Sequence, residues 1–359
     1  MSRPPAAWQM VEPSAPLRLT ELTLGSPGPG EARLKVHGCG LCHTDLGFLY
    51  GGVRTRQPLP LTLGHEVSAT VEALGPGPHP GEAALALGQL VVVPAVLPCG
   101  ECAFCRTGRD NICLAQKMPG NDMDGGFATH MTAPTRFLVP VNALPPGLEP
   151  AHLSVVADAV TTPFQAMVRA KVAKDDVVVV VGTGGIGIYG VQIAAHLGAR
   201  VIAVDIDAAR VETARAHGAA LGVVVTGSDD RQSRKFIADE AKKAGLPRHG
   251  WKVFEMSGSV PGQRLAFSLL SYAGVLGIVG FTRDTVEVRL SNLMAFDADA
   301  FGSWGCSPRH YRTVLDLIAE ERIRIKPFVT FEPMERINEV LEKAHHGGYR
   351  TRPVLVPSP

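Results

Sequence analysis

Long apolar runs are missing from this sequence. The longest aliphatic stretch is the five valines Val177–Val181, far below the roughly 20 residues that cross a bilayer as a helix, so we expect no membrane partner. The opening segment MSRPPAAWQMVEPSAP has no apolar signal core, and a cytoplasmic protein is expected. Charge of one sign is also scarce. With 35 Lys and Arg against 34 Asp and Glu, the formal net charge is +1. That gives no long-range attraction to nucleic acid or to an anionic membrane, and neither is expected as a partner. No repeat or low-complexity domain is visible. What is present is an ordinary globular composition. A chain of 359 residues, 45% of them hydrophobic, can bury a large core and is long enough for two domains.

Cysteines are few, seven in all, yet four of them crowd into PCGECAFCRTGRDNIC at positions 99, 102, 105 and 113. In a reducing compartment such a cluster points to a metal site rather than to disulfides. Four thiolates complete a tetrahedral zinc and leave no open position, so Cys99, Cys102, Cys105 and Cys113 are expected to hold a structural ion. Gly100, Gly108 and Asn111 suit a loop folded around it. The competing reading is a pair of disulfides or reduced core thiols. Cys39 and Cys306 stand apart and are expected to be buried small hydrophobes.

A second metal site has to be assembled from distant pieces. GCGLCHTDLGF supplies Cys42, and LGHEVSATV supplies His65 and Glu66 where a loop enters an alternating strand. Sulfur with imidazole favours zinc, and three protein groups plus water would leave the ion open for catalysis. Taken alone, either fragment fits packing as well as it fits a metal.

The middle of the chain gives context. DDVVVVVGTGGIGIYGVQIAAHLGARVIAVDID reads as a buried strand, a glycine turn, a helix and a second strand ending in Asp205, which makes a βαβ unit. Gly182 permits the turn, Gly184 lets backbone amides approach a pyrophosphate, and Gly187 lets the helix pack on the strand. Asp205 falls 18 residues after Gly187, where a carboxylate binds the adenosine ribose hydroxyls and repels a 2′-phosphate, so NAD is favoured over NADP.

Further strands (WKVFEMSGS, GVLGIVGF) and the helical PGQRLAFSLLSY continue the alternation and imply a doubly wound parallel sheet of Rossmann type over 156–297. Before it, residues 1–155 hold short strands separated by the Pro/Gly-rich GSPGPGE, GPGPHPGEAALALGQL and LPPGLEP, which suits an irregular β-rich domain. Residues 298–359, with helices near HYRTVLDLIAEERI and MERINEVLEKAHHG and the strand RPVLVP, are too few to stand alone and are expected to return to it.

The order CGLCHTD, GHE, CGECAFCRTGRDNIC, GTGGIG and a strand-end aspartate resembles the zinc-containing alcohol dehydrogenases of the medium-chain dehydrogenase/reductase superfamily, over nearly the whole chain. The resemblance implies an α/β fold with a GroES-like catalytic domain interrupted by a Rossmann domain, and an active site in the cleft between them. It implies two zinc ions per chain, one catalytic and one structural, with NAD as cofactor. It makes Cys42 and His65 catalytic zinc ligands, and Thr44 the hydroxyl that leads the substrate proton away. Glu66 becomes a group near the metal that exchanges with water as a ligand. The remaining ligand falls on Asp158 in VVADAVTTPF, where the commoner residue is cysteine. A carboxylate is an acceptable zinc ligand, and the competing reading is a cap on a helix starting near Ala159. By the same resemblance Arg210 faces the adenosine ribose, Gly185 belongs to the phosphate turn, and His43 and Arg352 meet the pyrophosphate. Val279 to Phe281 line the nicotinamide.

One relay element is absent: where some members carry a histidine three residues after the threonine, this chain has Gly47. Within the family, LYGGVRTRQPLPLTLGHE and AQKMPGNDMDGGFATHM resemble the 6-hydroxycyclohex-1-ene-1-carbonyl-CoA dehydrogenases of anaerobic benzoyl-CoA degradation. That implies an acyl-CoA thioester as the small-molecule substrate, with Arg54 and Arg56 set to meet coenzyme A phosphates. The alternatives are free alicyclic, allylic or aromatic alcohols as substrates, with the two arginines merely solvated. A homo-oligomer, dimer or tetramer, is expected. A zinc-free reductase or a non-catalytic protein on this fold would have no reason to carry the cysteine cluster or the Cys42–Thr44–His65 set.

Overall fold

The computed structural model describes residues 4–77, 85–226 and 229–358, so residues 78–84 of the Pro/Gly-rich GPGPHPGEAALALGQL lie outside the described residues. The chain divides into two compact units, Met1–Thr161 with Gly305–Pro359, and Thr162–Trp304.

The main sheet of the first unit runs, among the described residues, Val329–Pro333, Arg352–Val356, Glu31–Gly40, Glu66–Leu74, Leu90–Val93 and Val139–Pro140, with His130–Pro134 also paired to Glu31–Gly40. A smaller sheet joins Arg18–Glu21, Ala6–Met10 and Leu61–Thr62. The strands alternate as a sheet with one buried face should. Ala32, Leu34 and Val36 point inward against Val67, Ala69, Val71, Val91, Val93 and Phe127, each full burial of a large aliphatic side chain being worth about 1.5–3 kcal/mol.

Register matters more here than composition. Gly40 pairs with Glu66 and Cys39 with Val67 in the antiparallel ladder, so the chain leaving Gly40 toward Cys42 lies beside the chain entering at His65. A slip of one residue would turn both fragments to opposite faces. Gly40 is needed at this point, because a Cβ there would run into the Glu66 carboxylate. The terminal strand closes the same corner, with Val354 paired to Gly40 and Leu355 to Cys39.

The second unit is one parallel sheet in the order Ala219–Val224, Arg200–Asp205, Val177–Val181, Lys252–Glu255, Val275–Ile278, Asp299–Gly302. The five valines are buried throughout, as a central parallel strand covered on both faces requires. The order reverses beside this strand, which is where open α/β sheets bind ligands at the carboxyl ends of their strands. The last strand, Asp299–Gly302, lies beyond residue 297, the end read from the sequence. Its sequence, DAFG, has no β-branched residue to mark it.

Candidate functional site

Cys42 precedes and caps the helix His43–Leu49, His65 precedes the strand Glu66–Leu74, and Asp158 follows the buried 3-10 helix Pro150–Ala157. The next helix begins only at Thr161, so Asp158 does not cap a helix at Ala159. The four groups Cys42, His65, Glu66 and Asp158 bring ligand atoms within 4.8 Å of one another. Cys42 Sγ lies 3.6 Å from Asp158 Oδ2, and His65 Nε2 lies 3.8 Å from the same oxygen. Ligands at about 2.0–2.3 Å from one tetrahedral ion are about 3.3–3.8 Å apart, so these three donors fit zinc. Burial alone pushes the His65 imidazole down, yet Asp45, Cys42 and Asp158 outweigh it and hold its pKa well above the ordinary value. The corner therefore favours positive charge. The Thr44 hydroxyl is 3.6 Å from Cys42 Sγ.

A residue not singled out in the sequence completes the set. Asp45 is fully buried. One of its oxygens accepts from Cys42 N at 2.9 Å, and the other accepts from Gly64 N at 3.2 Å and faces His65 Nδ1 at 3.4 Å. A carboxylate behind a ligating histidine fixes the ring and its tautomer. The spacing could have revealed it, since an acidic residue three after a helix cap is the capping-box position.

Glu66 is fully buried, with Arg352 Nη1 at 3.3 Å, while the same guanidinium donates to Leu41 O at 2.8 Å. Burial raises the Glu66 carboxyl to about 7 against the opposing pull of Arg352. His43 is exposed. Partial burial, with the nearby positive charges of His345 and Arg352, lowers its pKa, which favours the neutral imidazole and leaves the Arg352 guanidinium as the fixed positive charge beside it. Arg54 and Arg56 are exposed. Arg56 is already engaged, through its backbone N to Asn121 Oδ1 at 3.0 Å and its guanidinium to Asp122 at 3.4 Å.

The four-cysteine loop closes on itself. Its sulfurs stand 3.4 Å (Cys99–Cys113), 3.5 Å (Cys102–Cys105), 3.8 Å (Cys102–Cys113) and 3.9 Å (Cys99–Cys105) apart. A disulfide needs about 2.0 Å, whereas thiolates around one zinc at about 2.3 Å are about 3.8 Å apart. All seven cysteines are free. Backbone amides near residues 101–102 pull the Cys99 thiol down, and those of Cys105 and Leu114 pull Cys102 to about 6, favouring the thiolate at these two positions. Burial raises Cys105 and Cys113, so it is the sulfur spacing that supports a metal. Gly100, at φ +78, is held under the Arg136 guanidinium, which donates to Cys99 O at 2.7 Å. Cys39 and Cys306 are buried, and burial raises both thiols.

In the second unit, Gly182 at φ +87 passes so close to Ser257 that a Cβ would lie 2.6 Å from its amide nitrogen. A Cβ on Gly187 would collide with the Gly182 carbonyl, whereas one on Gly184 would meet only the Arg210 guanidinium, at 3.6 Å. The first and third glycines thus fix the turn, and the second, with Gly185 exposed beside it, leaves its backbone open to a ligand. Asp205 Oδ2 accepts from Thr183 N at 2.7 Å and Thr183 Oγ1 at 3.1 Å, and Oδ1 accepts from Asp207 N at 3.0 Å. The aspartate therefore fastens the turn as well as closing its strand. Val279 N donates to Glu255 O at 3.0 Å, and Phe281 is exposed.

Two family models match: alcohol dehydrogenase GroES-like domain over residues 28–143, and zinc-binding dehydrogenase over residues 185–320. The chain belongs to the zinc-dependent alcohol dehydrogenases of the medium-chain superfamily. It is 28% identical to an alcohol dehydrogenase of Geobacillus stearothermophilus over 91% of each chain. Among solved structures it resembles acetophenone reductase from Geotrichum candidum in complex with NAD, with a TM-score of 0.84, 27% identity, and 99% and 98% of the two chains covered. It also resembles a cobalt- and zinc-bound thermostable alcohol dehydrogenase from Pyrobaculum aerophilum, with a TM-score of 0.82, 26% identity, and 98% and 99% covered. As a member of this family the chain is an NAD-dependent zinc oxidoreductase acting on a small-molecule substrate. Among the described residues no helix is long and apolar enough to cross a membrane.

Proposed function

We propose that this dehydrogenase oxidises a ring alcohol carried on a coenzyme A thioester, 6-hydroxycyclohex-1-ene-1-carbonyl-CoA, to the 6-oxo product in anaerobic benzoyl-CoA degradation. The observation that carries the reaction class is the Cys42–His65–Asp158 corner with the Thr44 hydroxyl at its side. When bound, zinc supplies a Lewis acid for the alcohol oxygen and NAD supplies the hydride acceptor. The rest is the work of the chain itself. Cys42, His65 and Asp158 hold the ion, Asp45 holds the His65 ring, and Glu66 stands by as a carboxylate that trades places with water. Thr44 accepts the proton of the substrate hydroxyl and passes its own to water, since Gly47 offers no side chain to receive it. Gly182, Gly184, Gly185 and Gly187 admit the pyrophosphate, and the family resemblance adds His43 and Arg352 as its candidate contacts. Asp205 and Arg210 take the adenosine ribose, and Val279 and Phe281 line the nicotinamide.

The thioester reading rests on the sequence resemblance of residues 49–66 and 115–131 to 6-hydroxycyclohex-1-ene-1-carbonyl-CoA dehydrogenases. The two stretches are laced together by Gln57 N to Asn121 O at 2.8 Å and by the Arg56 contacts above. With Arg56 committed to Asp122, Arg54 is the arginine freer to meet a phosphate. The test compares kcat/KM for the thioester with that for the free hydroxycyclohexene carboxylate. The thioester should be strongly preferred, and Arg54→Ala should raise its KM roughly ten- to hundredfold, because a charge-assisted phosphate contact is worth about 1.5–3 kcal/mol. Equal kcat/KM for the two would remove coenzyme A and leave a free alicyclic, allylic or aromatic alcohol as the substrate.

A further inference from the structure

Residues 306–311 reach both metal clusters of the first unit without giving a ligand to either. Arg309 Nε is 3.0 Å from Asp110 Oδ2, and its Nη2 donates to Cys105 O at 3.1 Å. Both partners lie inside the cysteine loop, and Asp110 is buried. Two residues on, Tyr311 is fully buried and opens the helix Tyr311–Ala319. Its hydroxyl accepts from Ala95 N at 3.3 Å and donates to Ala157 O, the carbonyl of the peptide that leads into Asp158. The link between the two ends is stiff. Ser307 Oγ accepts from Arg309 N at 3.3 Å, Pro308 opens a 3-10 turn that runs directly into the helix, and Cys306 is buried beside Thr161.

We propose that residues 306–311 form a strut that transmits the state of the cysteine lobe to the catalytic ligand set, with Arg309 as its anchor and Tyr311 as the positioning residue for Asp158. The proposal rests on reading both clusters as metal sites. A zinc held by four thiolates carries net negative charge, so the loaded lobe holds the Arg309 guanidinium in place. Arg309 and Tyr311 are separated by less than one helical turn, so a displacement at one is felt at the other. The Tyr311 hydroxyl fixes the Ala157–Asp158 peptide, and that peptide sets where the Asp158 carboxylate falls. Metal ligands tolerate misplacement of only tenths of an ångström.

The experiment uses the full chain loaded with zinc. It follows chelator-driven metal release from the Cys42–His65–Asp158 cluster, and the visible absorption band after cobalt is placed there. The proteins compared are wild type, Arg309→Gln, Tyr311→Phe and the double variant, with thermal melting as the check on folding. Each single change should speed release about tenfold, the scale on which supporting partners of ligands act, and should shift the cobalt band. The double variant should do no more than the larger single, since both act through one strut, and Arg309→Lys should recover most of the effect. If Arg309→Gln melts poorly, Asp110→Asn cuts the same link from the other end. A release rate and band unchanged in a folded Arg309 or Asp110 variant would overturn the proposal, as would effects that simply multiply in the double variant. A wild-type chain that takes up no metal at the Cys42 cluster would instead sink the metal reading on which the proposal stands.

Discussion

The two ligand clusters of the first unit are built in opposite ways. The cysteine lobe draws four identical donors from 15 consecutive residues, and its geometry comes from local turns: a short helix at Ala103–Arg106 and a 3-10 turn at Asp110–Ile112. The other cluster draws sulfur, imidazole and carboxylate from a helix start, a strand start and the end of a 3-10 helix, and only the sheet register brings them together. The first closes its ion off. The second leaves Glu66 and Thr44 beside the ion with capacity to spare. Local construction thus goes with support of the fold, and construction across the sheet goes with chemistry, because an open position can be lined by groups of different kinds.

The largest expected effect breaks this division directly. Cys42→Ala or His65→Ala should remove one zinc and lower kcat/KM by about 10³-fold or more, since several kcal/mol of transition-state stabilisation are lost, while the melting temperature changes little. Cys105→Ala should also remove one zinc, but its main cost should fall on stability, about 5–10 °C in melting temperature, because a closed site supports folding. Metal analysis beside calorimetry checks both. Variants that lose one ion each yet melt alike would erase the distinction.

Next in size is the other locally built site, the glycine turn. Asp205→Ala should raise the KM for NAD⁺ about ten- to hundredfold, because it removes both a ribose acceptor and the two bonds that fasten Thr183. For the same reason, little NADP⁺ activity should be gained. A wild-type enzyme with the higher kcat/KM for NADP⁺ would contradict the reading.

Asp45→Asn sharpens the comparison from inside the open cluster. It should keep the bond to Cys42 N but lose the charge facing His65, lowering metal affinity there about 10- to 100-fold. The cysteine lobe should keep its ion, which a two-phase chelator titration would show.

The same contrast explains what could be read from the sequence. The cysteine loop and the βαβ turn were legible because the residues that build each lie within one short stretch, and their spacing is their geometry. The pairing of Cys42 with His65 was not, since it depends on Gly40 lying opposite Glu66 across a ladder with two register shifts. Their donor types suggested it, and the resemblance assigned both as ligands of one ion. Asp158 had two readings until the chain beyond it was seen to stay non-helical as far as Thr161. Tyr311 left no trace in the sequence at all, because its partner carbonyl lies 154 residues away and a tyrosine at a helix start has no distinctive spacing.

The smallest expected effect concerns the segment that carries Asp158. His152 lies in that buried 3-10 helix, accepts from Glu149 N at 3.0 Å and packs edge-on to Phe331 with ring centres 4.4 Å apart. Burial pushes its pKa below the ordinary value, against an opposing pull from Glu149. The unfolded chain therefore takes up a proton at this histidine before the folded chain does. Stability from this group is complete above about pH 6.5 and falls as the pH drops through that value toward the lower folded pKa. His152→Gln keeps an acceptor but cannot titrate, so its melting temperature should lose about 1–2 °C less than wild type between pH 7 and pH 5. The gain is small because His37, His130 and His310 are shifted in the same direction by burial and titrate in both proteins. Melting curves across that range decide it: parallel losses in the two proteins would take His152 out of the acid response and leave the Asp158 segment no more sensitive to pH than the cysteine lobe.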